Sequence, residues 1–274
     1  MSRLVVQTYK APQQWRTHPP GVGDFIRGAC HLFERLDGTG VELRIDVSQT
    51  EFADLIQYDE SLFYRGDPLA IAEADEYFED DQPFEAALRT LRRAHDGILH
   101  VCSNMGEWQR ARLPKRTRDF VAPFYTFVPE VDAAVHDVIQ GRAYRVLAIR
   151  CGDRFFDGPT ATIDELTRAQ IVRILEDHVL RGPDAIVLLS DSATLKSELS
   201  ERYGLLTLPY RSRHGAFGGA GAVVKDLCVL KGSRFNYHIN AWSDWWSGFA
   251  HYTSMIFNVP EMNFRAPRFA REDL

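Results

Sequence analysis

The stretch RVLAIRCGDRFFDG, residues 145–158, decides how the rest of the chain is read. Val146, Leu147, Ala148 and Ile149 form an apolar run of strand length, and it stops at Arg150, Cys151, Gly152, Asp153 and Arg154. In an open α/β sheet, ligands bind beyond the carboxyl ends of the strands. A guanidinium at such an end suits a phosphate or a carboxylate, because its planar fork can donate to two oxygens at once. The plainer alternative is an ion pair between Arg150 and Asp153.

Outward from this strand, apolar runs and helical patterns alternate. Towards the C-terminus the spacing predicts helix 163–180, strand 185–190, helix 192–203 and strand 205–208. A glycine-rich turn at 215–221 then leads to helix 222–231, strand 234–240 and helix 244–257; the polar tail after Pro260 is left unassigned. Towards the N-terminus, Leu4 to Gln7 read as the first strand. Phe25, Ile26, Ala29, Leu32, Phe33 and Leu36 recur at helical spacing before Gly38 and Gly40. Strands follow at 41–48 and 97–103, with helices expected in the polar region between them, and a helix from Pro129 to Ile139. This rhythm predicts parallel sheets with crossover helices: an α/β protein of two Rossmann-like units facing a cleft, divided at 138/139.

The chain has 274 residues, 45% hydrophobic and 26% charged, enough for two such units. A net charge of −6 argues against a nucleic-acid partner. The acidic run EADEYFEDD (73–81) reads as a solvated face. No apolar run approaches the roughly 18 residues of a membrane span, and MSRLVVQTYK lacks the pattern of a secretory signal. Cys30, Cys102, Cys151 and Cys228 include no C-x-x-C pair, which argues against a zinc site; free thiols in a reducing cytoplasm are the simpler expectation and two long-range disulfides the alternative. The expected location is cytoplasmic, free or at the periphery of a membrane.

Several segments carry residues suited to a phosphorylated ligand. GVGDF (21–25) precedes the first helix, where Gly21 and Gly23 permit close backbone approach and a helix N-terminus favours an anion. It is not a full G-x-G-x-x-G, since Ile26 fills the third slot and Gly28 follows two residues later; a tight turn with a cap is the alternative. VLLSDSATL (187–195) again runs from strand to helix, and Asp191 and Ser192 are either N-caps or contacts to a ribose or phosphate. His214 lies in the glycine-rich loop. Asp226 sits among Val223, Val224, Leu227, Val229 and Leu230 and needs a partner, either a purine edge or an arginine such as Arg150. Ser243 opens the helix that carries Trp245 and Trp246, a further place for phosphate.

Together these segments resemble the fucosyltransferase superfamily with the GT-B fold: protein O-fucosyltransferases, core α1,6-fucosyltransferases and nodulation-factor fucosyltransferases. GVGDFIRGACHLFE resembles that family's opening G-x-G-N/D turn and helix, and LAIRCGDRFF its H-x-R-x-G-D strand motif. LLSDSATL resembles its T/S-D segment, and VVKDLCVLKGSRFNYHINAWSDWWSGFA its C-terminal D-x-x-x-L…S segment. The resemblance implies that Arg150 grips the donor diphosphate, Asp226 reads guanine and Ser243 contacts phosphate. Ala148 departs from the family's frequent histidine, and Arg154 adds a positive charge.

The function so implied is a metal-independent, inverting glycosyltransferase. It would move fucose from a GDP-sugar co-substrate to a glycan or other hydroxyl acceptor. Residues 1–138 would form the acceptor side and 139–274 the donor-binding side. Arg150 and Asp24 are the catalytic candidates, Asp24 as a base for the acceptor hydroxyl. Gly21, Gly23, Asp191, Ser192, His214, Asp226 and Ser243 are the donor-binding candidates. A non-catalytic nucleotide-sugar binder, or another transferase using a phosphate-bearing donor, is the alternative; G-x-x-x-x-G-K-[ST] is absent.

Overall fold

Among the described residues, two four-stranded sheets, each wholly parallel, organise the chain. A computed structural model describes residues 3–9, 21–66, 71–74, 82–94, 96–107, 110–152, 163–210, 219–241 and 247–266. The chain divides into Met1–Val128 and Pro129–Leu274.

The first unit contains β1 (Arg3–Thr8), α1 (Val22–Leu36), β2 (Glu42–Asp46), β3 (Ile71–Ala74), α2 (Gln82–Arg93), β4 (Gly97–Ser103) and α3 (Lys115–Val121). Its strand order is β2-β1-β4-β3. Val5, Leu43 and Val101 from the strands pack with Leu32 and Leu36 of α1 and Phe84 and Leu88 of α2. The helical spacing of α1 thus becomes its buried stripe. The aromatic segment around 120–127 is also core: Phe124, Tyr125 and Phe127 are buried, and Phe124 approaches both Phe25 and Phe52. Glu73 and Ala74 of the acidic run belong to β3, a strand not anticipated from sequence; residues 75–81 lie outside the described residues.

The second unit contains α4 (Pro129–Ile139), β5 (Tyr144–Arg150), α5 (Glu165–Ile174), β6 (Ala185–Ser190), α6 (Ala193–Tyr203), α7 (Ala220–Gly232), β7 (Asn236–Asn240), α8 (Gly248–Phe257) and β8 (Glu261–Arg265). A π-helical turn, Leu175–Val179, extends α5. The strand order is β6-β5-β7-β8. Leu147, Ile149, Tyr237 and Ile239 pack with Ile171 of α5 and Leu195 and Leu199 of α6. The sequence division at 138/139 assigned α4 to the first unit, whereas it belongs to the second. There it packs against α7, and the Cys228 thiol donates to Asp132 at 3.1 Å.

Two further differences have local causes. The expected strand 205–208 reduces to one bridge, Leu206 with Val187. The polar tail supplies β8, because its polar side chains meet buried polar partners: Asn263 faces His238 at 3.0 Å, and Glu261 faces His251 at 2.5 Å. All four cysteines are free and buried. Among the described residues, no helix is long and apolar enough to cross a membrane.

Candidate functional site

The second unit's topology puts Arg150 at a point where the strand order reverses. From β5 the chain crosses first to β6 on one side and later to β7 on the other, which opens a crevice at the carboxyl ends of β5 and β7. Arg150 is the last residue of β5, in register with Asn240, the last of β7.

The Arg150 guanidinium donates through Nη1 to Asp191, just beyond the end of β6. The same carboxylate accepts the backbone N–H of Cys151 at 2.7 Å and of Gly152 at 2.9 Å. Gly152 has φ +113, a conformation that side chains oppose and that turns its N–H onto the acid. Asp191 is therefore taken up by partners inside the unit. Asp191 pairs with Arg150; Asp153, the ion-pair partner read from sequence, lies outside the described residues. Ser192 is the N-cap of α6, its hydroxyl accepting Leu195 N–H at 3.3 Å, and Ser190 Oγ accepts Ser192 N–H at 3.2 Å. The result is a buttress: a capped helix and a buried carboxylate fix the root of Arg150.

Asp226 on α7 has a partner that sequence reading did not consider. The Tyr210 phenol donates to its Oδ1, and Lys196 of α6 acts on it electrostatically. Burial pushes the Asp226 carboxyl up to about 6, with the Tyr210 hydrogen bond and the Lys196 charge pulling the other way. Burial also lowers Lys196, and Asp226 opposes that. Tyr210 and Lys196 carried no motif; only the fold brings them to α7.

A second polar group missed from sequence lies on β7 and β8. His238 is in register with Ala148, the position where the resembled family often has histidine. His238 is lowered by burial, against the pull of Glu261 and Asn263. Burial would raise Glu261, but His251, His238 and Asn263 together bring it below the usual range. Alternation along NYHIN was the available signal, since Tyr237 and Ile239 face the core and leave His238 on the other face.

In the first unit, Gly21 is the N-cap of α1, with Gly23 and Asp24 in its first turn. Asp24 lies 3.7 Å from Arg27, whose side chain is fully buried. The close-packing glycine is Gly28: a Cβ there would stand 1.8 Å from the Ser103 carbonyl oxygen. Gln7 secures the same residue, donating to Ser103 O at 2.7 Å and accepting Ser103 N–H at 3.0 Å. The glycine missing from slot 26 is thus replaced two residues on. Gly21, Gly23 and Asp24 belong to one unit, and Arg150, Asp191, Ser192 and Asp226 to the other. His214 and Ser243 lie outside the described residues, as do Arg154, Trp245 and Trp246. Among the described residues, no group of three or more His, Cys, Asp or Glu is placed to hold a metal.

Neither a family model nor a curated protein sequence matches the chain. Solved structures do. NodZ alpha-1,6-fucosyltransferase soaked with GDP-fucose aligns over 93% of each chain with a TM-score of 0.55 and 16% identity. The same enzyme co-crystallised with GDP gives the same values. Fucosyltransferase NodZ from Bradyrhizobium gives a TM-score of 0.54 and 14% identity over 93% of this chain and 94% of that one. At such identities the likeness is one of fold. The chain has the α/β fold of these fucosyltransferases, the GT-B class expected from its motifs.

Proposed function

We propose that the protein is a metal-independent, inverting glycosyltransferase that moves fucose from a GDP-sugar to a glycan or other hydroxyl acceptor. The observation that carries this reading is Arg150, set at the reversal of strand order and anchored by Asp191, with its side chain 30% exposed. The fold shared with enzymes studied with GDP and GDP-fucose supports the choice of donor.

The chemistry follows from charge. As the bond from sugar C1 to the β-phosphate oxygen breaks, its electron pair stays on that oxygen. A preorganised guanidinium at that position stabilises the growing charge without having to reorganise. The acceptor hydroxyl attacks C1 from the opposite face, which inverts the anomeric centre, and its proton passes to a carboxylate. Asp24 is the candidate for that base. Gly21 and Gly23 offer backbone approach at the N-terminus of α1, and Asp226 reads the guanine edge. His214 and Ser243 are further donor contacts implied by the resemblance. In this reading the first unit is the acceptor side and the second the donor side.

The test is a thermal-shift panel of GDP, UDP, CMP and ADP, followed by transfer and donor-hydrolysis assays. A ligand that binds only the folded state raises its melting temperature. GDP is expected to give the largest shift and GDP-fucose to be turned over. No shift with any nucleotide overturns the proposal.

A further inference from the structure

The proposed function rests base recognition on Asp226, and the surroundings of that carboxylate are more specific than packing requires. Tyr210 lies beyond the Leu206 bridge, on the segment continuing towards the carboxyl end of β6, and its phenol donates to Asp226 Oδ1. Lys196 of α6 is buried, donates through Nζ to the Leu208 carbonyl at 3.3 Å, and lies 5.0 Å from the Tyr210 ring. Lys225 of α7 lies 5.6 Å from the same ring. Cys228 of α7 is the other titratable group acting on the phenol. Two ammonium groups from different helices therefore hold the ring, and the ring holds one oxygen of the acid.

A guanine edge presents adjacent N1–H and N2–H donors, which bind a carboxylate well only when both its oxygens lie in one plane with them. A hydrogen bond at Oδ1 sets that plane. We infer that Tyr210 is the positioning residue of the donor-base site, orienting the Asp226 carboxylate for the two N–H groups of guanine, with Lys196 as counter-charge. This rests on the reading of Asp226 as the base-recognising group.

Tyr210 also sets a pH signature. Asp226 is already raised to about 6 by burial, and loss of the phenol removes one of the two interactions that pull it down. A protonated carboxyl presents an O–H where one of the two guanine donors needs an acceptor. Tyr210→Phe therefore shifts the pH at which guanine binding fails, which a purely space-filling role would not do.

The experiment is calorimetric titration of the full chain with GDP from pH 5.5 to 8.5, for wild type, Tyr210→Phe and Asp226→Asn. The terminal phosphate of GDP titrates in the same range, alike for all three proteins, and cancels in the comparison. Tyr210→Phe is expected to bind more weakly than wild type at every pH, because the ionised carboxylate is no longer oriented, with the deficit widening by about tenfold from pH 8.5 to pH 5.5 as the midpoint rises by about one pH unit. Asp226→Asn is expected to bind weakly throughout and to keep only the ligand's own pH dependence. A Tyr210→Phe profile superimposable on wild type, with Asp226→Asn still defective, overturns the role of Tyr210 and leaves base recognition by Asp226 standing. Undiminished GDP binding by Asp226→Asn overturns both.

Discussion

Arg150 and Asp191 form an ion pair with unequal sides: the arginine side chain is 30% exposed and the aspartate side chain 4%. The acid is built into the protein, and the base reaches out from it. Arg150→Lys keeps a charge opposite Asp191 but loses the planar fork. It is expected to cost about 2–4 kcal/mol of transition-state stabilisation, a hundredfold or more in kcat, with little change in melting temperature. Measuring both on the same preparation separates catalysis from folding; a normal kcat in a folded variant removes Arg150 from the mechanism.

Asp191→Ala should act in the opposite sense, on stability first. It removes the Asp191 contact of Arg150 and leaves the N–H groups of Cys151 and Gly152 without that acceptor. Leaving a buried N–H without an acceptor costs about 1–3 kcal/mol for each group. Urea denaturation would show it as a lower midpoint, and an unchanged midpoint would mean the turn finds other partners.

Gly28→Ala tests the contact between α1 and the end of β4. The added methyl would meet the backbone of Ser103, which has no rotamer to yield. A loss of about 1–3 kcal/mol is expected, despite alanine's better helix propensity. Thermal melts of the variant give the sign directly.

The raised Asp226 makes a pH-dependent prediction about folding. Its folded value, about 6, lies above the unfolded 3.8, so its favourable contribution is complete below about 3.8 and is lost as pH rises through 6. Asp226→Asn should therefore stabilise the protein at pH 7.5 relative to wild type, by on the order of 1–3 kcal/mol, and less so at pH 4.5. Parallel melts at the two pH values check it. The same variant is expected to lose GDP, so stability and ligand binding pull apart at this residue.

Transfer activity should survive EDTA, since the proposed chemistry assigns leaving-group charge to Arg150 and backbone N–H groups. An assay with and without chelator decides this. Complete loss restored by Mn²⁺ points to a metal-dependent transferase.

How far sequence reading reached depended on what each residue's partner was. The strands at 97–103, 144–150 and 185–190 and the helix 129–139 have the bounds read from their patterns, because each is a mainly apolar run or stripe. β8 escaped because its polar residues are satisfied by His238 and His251, which no local pattern connects to it. Arg150 stood out as a charge at a strand end. Its partner Asp191 did not, since finding it requires knowing that β5 and β6 are neighbours. Tyr210 and Lys196 were hidden for the same reason: their contact with Asp226 joins α6, the segment after it and α7.

The placement of β8 bears on how the chain is made. Among the described residues, the strands of the first unit's sheet have all been synthesised by residue 103, and its aromatic core by residue 127. The second unit's sheet waits for residues 261–265, among the described residues the last strand in sequence and the neighbour of β7 on its outer side. Until they emerge, β7 is an unpaired edge and His251 lacks its carboxylate partner. A ribosome-bound chain ending between α8 and β8 would thus carry a folded first unit and a second unit with an open edge. Vectorial synthesis leaves the unit that bears Arg150 as the later to become protease-resistant, and the one more exposed to aggregation on the way.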